Sequence, residues 1–128
     1  MLQNILCISA GASIGAVMRW LLGLAFNAVL PLLPLGTLIA NLTGGYLIGV
    51  MLGVVAFFPQ FPDGARLFVI TGFLGALTTF STFSGEVVLL IQGRHIVAAV
   101  FLVGLHVLGS LAMTGLGIAT VTLFARGH

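Results

Sequence analysis

The sequence predicts an all-α integral membrane protein with four transmembrane helices, and three observations lead to this fold class. Of its 128 residues, 60% are hydrophobic and 5% are charged, whereas a soluble domain carries about 25% charged residues. Four apolar runs each reach the roughly 20 residues that a helix needs to cross a bilayer. Short stretches rich in proline, glycine and polar residues separate the runs, as is typical of loops. We therefore expect a single transmembrane domain over residues 1–128.

The four predicted helices cover most of the chain. We place them at approximately residues 4–26, 36–58, 65–92 and 96–124. The third is too long, because about 28 residues would span about 42 Å as a helix, against a hydrocarbon core of about 30 Å. Tilt is one way to absorb the excess, and a break in the helix is the other. We expect a break in mid-membrane near residues 75–79, where glycines adjoin a pair of threonines.

The stretch around the expected break, TTFSTFSGE, carries polar residues at membrane depth. Polar groups are expensive there and are retained where they pair or line a cavity. Phe80 and Phe83 are three residues apart, so they share one helix face. Phenylalanines at this spacing are most often core residues, but here hydroxyl residues surround them. Ring edges carry partial positive charge and suit an anion, whereas a cation pathway would use carboxylates or rings of carbonyls.

Two further stripes at four-residue spacing accompany this segment. In the second helix, Asn41 lies among glycines that indicate close helix packing, and its amide needs a partner or a wet path. In the fourth helix, His106, Ser110 and Thr114 share one face, which favours a lining role. No second His, Cys or carboxylate lies at ligand spacing from His106, so it is not predicted to bind a metal. Arg19 ends a glycine stripe in the first helix, and both snorkelling to the interface and attraction of an anion remain open for it.

The few charges of the chain limit its partners and its orientation. Four arginines and two acids give a net charge of +2, too sparse for a nucleic-acid surface. Arg66 and Arg126 lie on one predicted side, and Arg94, with the deeper Arg19, on the other. The positive-inside rule then gives almost no preferred orientation, so opposite copies can pair as an antiparallel dimer, unless a weak bias still fixes one orientation. In such a dimer, carbonyls freed at the two helix breaks would make a cage for a cation such as Na⁺.

Four runs of the sequence resemble the Fluc family of fluoride channels. They are GALTTFSTFSGE in the third helix, GASIGAVMRW in the first, GTLIANLTGG in the second and HVLGSLAMT in the fourth. The resemblance covers essentially the whole chain, and the TTFSTFS core is its most specific part. It implies a dual-topology antiparallel homodimer in the inner membrane of a microbe. It also implies a passive channel rather than an enzyme, with two pores per dimer that export toxic fluoride.

The resemblance further implies which residues line the pore. Phe80 and Phe83 would form an aromatic box that meets fluoride with ring edges, and Asn41 would orient or donate near the same point. A polar track would continue along the pore, and the matching positions are Ser81, Thr82, Ser110, Thr114 and, where the family varies, His106.

Outside the pore, the resemblance implies a structural ion and a vestibule. The backbone carbonyls of Gly75 and Thr78 would hold Na⁺ at the dimer interface. Arg19 matches an arginine near the vestibule, and Glu86 matches a carboxylate near the pore. The implied partners are fluoride, a second copy of the chain and membrane lipid, with no nucleic acid.

Two other functions are compatible with a small four-helix membrane protein. A small proton-coupled multidrug exporter would need a membrane-embedded carboxylate, which in that family lies in the first helix, and the first run here has Arg19 and no acid. A non-transporting assembly subunit would explain the glycine stripes. It would not explain the phenylalanines among hydroxyls or the polar stripe of the fourth helix.

Overall fold

The computed structural model describes residues 1–127, and nearly all of them are helical. In this range, four helical stretches are long and apolar enough to cross a membrane, which confirms the predicted all-α class with four helices of membrane-spanning length. The third stretch, Asp63–Gln92, contains two helices. In chain order the helices are α1 (Leu2–Phe26), α2 (Leu35–Phe57), α3 (63–77), α4 (Phe80–Gln92) and α5 (Ile96–Arg126).

Helix α3 is wound unevenly. It begins with an α-helical turn, Asp63–Arg66, continues as a π-helix over Leu67–Leu74, and ends with the α-helical turn Gly75–Leu77. The N–H of Gly75 donates to the carbonyl of Ile70, five residues back. A π-helix of this length is rare, and such segments are frequent near functional sites. Sequence reasoning did not predict it, because apolar residues dominate this segment and leave no periodicity to separate the two windings.

Glycines bring α1 and α3 into backbone contact. A Cβ atom on Gly11 would collide with the carbonyl oxygen of Phe68, and one on Gly15 would collide with that of Phe73. Both glycines are buried. Small residues at a helix interface let two backbones approach closely, so this glycine stripe packs α1 against α3.

The same device joins α2 to α5. A Cβ on Gly49 would meet the carbonyl oxygen of Thr114, and one on Gly117 would meet that of Tyr46. Glycines from both helices therefore face the partner backbone. This contact fixes the height of Asn41 on α2 relative to the polar stripe of α5.

Two extended residues separate α3 from α4. Thr78 has φ −86° and ψ 156°, and Thr79 has φ −154° and ψ 119°. Thr79 is the N-cap of α4, and its Oγ1 accepts a hydrogen bond from the N–H of Thr82 at 3.1 Å, which satisfies one of the free donors of the first turn. We call Thr78 and Thr79 the interruption.

Helix α4 packs on the first half of α5 through a small apolar core of Phe83, Leu90, Ala99 and Leu102. Much of the remaining surface is apolar, and large hydrophobic side chains are exposed along α1, α2, α4 and α5. A soluble protein rarely exposes an apolar surface of this extent, and hydrocarbon or another apolar helix covers it in a membrane.

Candidate functional site

A groove of about 400 Å³ runs between α2, the interruption with the start of α4, and α5. The predicted pore residues Asn41, Phe80, Phe83, His106, Ser110 and Thr114 all line it, together with Gly45, Thr78, Thr79, Val107 and Leu111. Two predicted pore residues, Ser81 and Thr82, are not among the lining residues. Helical spacing places the α5 side chains along one wall, and the glycine contact of α2 with α5 sets Asn41 beside them.

Asn41 holds the interruption in place. Its Oδ1 accepts from the backbone N–H of Thr79 at 2.7 Å, and its Nδ2 donates to the Thr79 carbonyl at 3.0 Å. Thr79 has left the helix, so its backbone groups need partners from elsewhere, and an unsatisfied group in a membrane costs several kcal/mol. One side chain on α2 therefore satisfies both.

Other groups near the interruption are satisfied in the same way. The hydroxyl of Thr78 donates to the carbonyl of Leu74 at 2.8 Å. From α1, the Nε of Arg19 donates to the carbonyl of Ala76 at 3.0 Å. The sequence left Arg19 between snorkelling and anion attraction, and the structure adds a third role, which is to cap the end of α3.

The interruption also frees two carbonyl oxygens. In an unbroken helix, the Gly75 carbonyl would accept from the N–H of Thr79, and the Thr78 carbonyl from that of Thr82. Those N–H groups donate instead to Asn41 Oδ1 and to Thr79 Oγ1. Gly75 and Thr78 thus lose their usual helical partners, and backbone carbonyl oxygens suit a hard cation.

Three aromatic rings stand side by side at the groove. The rings of Phe80 and Phe83 lie 5.5 Å apart between centroids at 76°, an edge-to-face arrangement. The ring of Phe83 stacks on the imidazole of His106 at 4.3 Å and 25°. Phe83 is 6% exposed and Phe80 is 75% exposed. The two phenylalanines therefore share a face, as their spacing predicts, but one ring is packed while the other stands open.

His106 is the most deeply buried polar residue of the groove, with 3% of its surface exposed. Its Nδ1 lies 3.0 Å from Nδ2 of Asn41. Its Nε2 has no hydrogen-bond partner within the described chain.

A second cavity, of about 330 Å³, lies between the end of α1, the start of α2 and α4. Arg19 and Thr82 line it, and so do Asn27 and Thr37. Neither Thr82, a predicted pore residue, nor Arg19, the predicted vestibule residue, lines the groove. Both line this second cavity instead.

Beside this cavity, Glu86 is bound to α2. The hydroxyl of Thr37 donates to Glu86 Oε2 at 2.6 Å, and the N–H of Thr37 donates to Asn27 Oδ1 at 3.2 Å. The other oxygen, Oε1, is buried and has no partner in residues 1–127. Thr37 lies one turn before Asn41 in the sequence, which was a usable signal for a role near the site. Nothing in the sequence pointed to Asn27.

Comparison with known proteins gives a consistent result along almost the whole chain. Residues 6–118 match the family described as CrcB-like protein, Camphor Resistance (CrcB). The chain is 56% identical over 126 residues to the fluoride-specific ion channel FluC of Tolumonas auensis, with 98% of this chain and 99% of that one covered. It is 54% identical over 117 residues to the protein of the same name from Chromohalobacter salexigens, with 91% and 89% covered. It is 51% identical over 118 residues to that of Pseudomonas syringae pv. maculicola, with 92% and 93% covered.

Proposed function

This chain belongs to the CrcB-like family, and from that membership we propose that it is a fluoride-specific ion channel that lets fluoride leave the cell passively. It is a multi-pass membrane protein with four helices of spanning length. Relatives above 50% identity over nearly the full chain carry the name of fluoride-specific ion channel, and they support both the ion and the channel class.

The observation that carries this proposal is the chemistry of the groove. Its described lining combines aromatic rings, hydroxyls, an amide and an imidazole, and contains no Asp, Glu, Lys or Arg. A conducting site must bind an ion well enough for entry and weakly enough for exit. Uncharged donors and ring edges meet both requirements for an anion, whereas a buried arginine would retain it.

The proposed path follows the predicted residues. Fluoride enters hydrated and exchanges water stepwise for contacts with the edge of Phe80 and the hydroxyl of Ser110. Thr114 lines the same path, with its hydroxyl hydrogen bonded to the Gly45 carbonyl. Phe80 is the exposed ring, so it meets the ion first, and Phe83 lies behind it against His106. Ser81 and Thr82 belong to a separate portion of the path, and Thr82 lines the second cavity. That cavity also contains Arg19, which makes it the candidate vestibule, and Glu86 adjoins it.

We further propose that the functional unit is an antiparallel homodimer in the inner membrane, with the interruption at mid-membrane depth. The balanced arginines support insertion in both orientations. Each copy has a groove that is open on one side and rimmed by exposed apolar residues such as Leu108 and Leu111, both 68% exposed. A second copy and lipid would cover these surfaces, and two copies would supply two grooves.

A structural Na⁺ between the two copies fits the residues present. The carbonyl oxygens of Gly75 and Thr78 have lost their helical donors to side chains, and Gly75 is exposed at the surface of the chain. Four such oxygens, two from each copy, would hold the ion. Its charge would stabilise the carbonyls that the interruption leaves in the membrane.

The test is fluoride release from liposomes that contain the purified protein, followed with a fluoride electrode and with chloride as the control ion. We expect fast fluoride loss, no chloride loss and no requirement for a proton gradient. Phe80→Ile and Phe83→Ile should abolish the flux, whereas Phe57→Ile, at an exposed position far along α2, should not. A folded protein that releases no fluoride would overturn the proposal, and proton-driven uptake of a cationic drug would then support the exporter alternative.

A further inference from the structure

Among the described residues that line the groove, His106 is the one that has a buried side-chain atom without a hydrogen-bond partner. It is 3% exposed, and its Nε2 lacks a partner among the residues that the structure describes. A buried polar atom without a partner is unfavourable and calls for an explanation, such as a bound water or ion. A role for this atom in ion binding rests on the proposed fluoride pathway.

The orientation of the Asn41 amide is determined by the backbone. The N–H of Thr79 can only donate, and it lies 2.7 Å from one terminal atom of Asn41, so that atom is the oxygen. The other terminal atom is then the NH₂ group, which has two hydrogens. One is directed to the Thr79 carbonyl at 3.0 Å and the other to Nδ1 of His106 at 3.0 Å. The side-chain oxygen of Asn41 and both of its N–H groups therefore have partners within the protein, and neither N–H remains free to bind an ion.

The tautomer of His106 follows from this assignment. An amide nitrogen does not accept hydrogen bonds, so Nδ1 must be the acceptor and cannot carry a proton. A neutral imidazole with an unprotonated Nδ1 carries its proton on Nε2. The atom without a partner is therefore an N–H donor, which needs an acceptor.

The ring that carries this donor is held on two sides. Asn41 fixes one ring nitrogen, and Phe83 stacks on the ring face at 4.3 Å. Tilting the imidazole out of its plane would break the stacking, and a half-turn flip of the ring would break the bond to Asn41. The direction of the Nε2–H bond is accordingly preset before an ion arrives, which is how a site avoids reorganisation on binding.

We propose that His106, in its Nε2–H tautomer, is an anion-binding donor of this channel, and that Asn41 is a positioning residue that sets this tautomer rather than a direct ligand of the ion. Nε2 is buried from solvent, so only a small acceptor can reach it after a small shift of its surroundings. Fluoride is the smallest halide and accepts hydrogen bonds strongly. The donor therefore contributes to selection against chloride as well as to binding.

The experiment is ¹⁵N NMR of histidine-labelled protein in liposomes, in a variant that keeps His106 as its single histidine through His95→Gln and His128→Gln. The chemical shifts of the two ring nitrogens distinguish the tautomers. We expect a protonated Nε2 and an unprotonated Nδ1, and a shift of the Nε2 signal on addition of fluoride but not of chloride. Asn41→Asp should place a proton on Nδ1, because the carboxylate is an acceptor where the amide was a donor.

Flux measurements complete the test. His106→Phe keeps a flat ring for Phe83 but removes both nitrogens, so fluoride release should fall about tenfold, the equivalent of one lost hydrogen bond. The matched change His95→Phe, at an exposed loop residue, should leave fluoride release unchanged.

A protonated Nδ1, or an Nε2 signal that does not shift with fluoride in a conducting protein, would overturn this inference and leave the channel function standing. A protein that conducts no fluoride would instead remove the proposed function, while the tautomer would still be readable by NMR.

Discussion

At the scale of single residues, the polar atoms along the groove fall into two groups. The amide of Asn41 is engaged by the backbone of Thr79 and by His106. The hydroxyl of Thr114 donates its hydrogen to the carbonyl of Gly45 at 2.9 Å. By contrast, the hydroxyl of Ser110 lines the groove without a hydrogen bond to any other described residue. Ser110 therefore has a free O–H donor at the groove in the arrangement that the structure shows.

Replacement of this free hydroxyl should affect conduction and leave folding nearly unchanged. We expect Ser110→Ala to lower fluoride release about tenfold, since one neutral hydrogen bond contributes up to about 1.5 kcal/mol. The thermal midpoint should stay close to that of the parent protein, because no described partner loses a bond. Ser13→Ala, which removes a hydroxyl bonded only within α1, is the control for both assays. A large loss of thermal stability with unchanged flux would assign Ser110 to packing instead.

Residue spacing predicted part of this site and could not predict the rest. Four-residue periodicity was sufficient to group His106, Ser110 and Thr114, because residues four apart share a helix face whatever the tertiary structure. The contacts of Arg19 with the Ala76 carbonyl and of Thr37 with Glu86 join different helices. They depend on the relative height of those helices, which periodicity within one helix does not contain.

At the scale of elements, the interruption depends on helices that approach it closely. Glycines hold α1 in close contact with α3. From α1, Arg19 binds the carbonyl of Ala76, and from α2, Asn41 binds the backbone of Thr79. Sequence reasoning recognised the glycine stripes, and it recognised the glycines and threonines near residues 75–79. It missed the π-helical winding of Leu67–Leu74, since an almost uniformly apolar run gives the same pattern for either winding.

A methyl group in the α1–α3 contact should weaken it strongly. In Gly15→Ala, the new Cβ would overlap the carbonyl oxygen of Phe73 and lie 2.9 Å from the N–H nitrogen of Leu77. Neither is a flexible side-chain end, so the helices must separate, at a cost of about 1–3 kcal/mol. We expect a lower thermal midpoint in detergent. We also expect reduced fluoride release, because the shift of α3 would include Leu77, the residue directly before the interruption.

The same substitution in open space provides the control. Gly104→Ala in α5 would meet no atom within 4 Å, and alanine is favoured over glycine in a helix by about 1 kcal/mol. This variant should be as stable as the parent protein or slightly more so. Equal stability of the Gly15 and Gly104 variants would show that α1 and α3 do not pack as closely as the structure places them.

At the scale of the whole molecule, hydropathy and charge determine how the chain sits in a membrane. Apolar side chains cover most of the outer surface, and the one ion pair seen in residues 1–127, Asp63 with Arg66 at 3.4 Å, is exposed at the start of α3. With short connections, the loop before α3 and the end of α5 lie on one side of the bundle, and the loop before α5 lies on the other. So few and so evenly divided charges leave the orientation open to small changes.

That balance makes orientation a variable that mutation can control. Gln3→Lys with Gln60→Lys adds positive charge to one side, and Gln92→Lys with His95→Lys adds it to the other. By the positive-inside rule, each pair should force a single, opposite orientation. If the channel is an antiparallel dimer, each biased variant alone should release little fluoride, and the two expressed together should restore release.

A chain that carries all four substitutions regains the balance, so it is the control for damage by the added lysines. Orientation is read from the accessibility to a membrane-impermeant thiol reagent of a cysteine introduced at Gly127, in a Cys7→Ser background. Full activity of one biased variant with a uniform orientation would mean that parallel copies or a single chain suffice, and the antiparallel dimer would have to be abandoned.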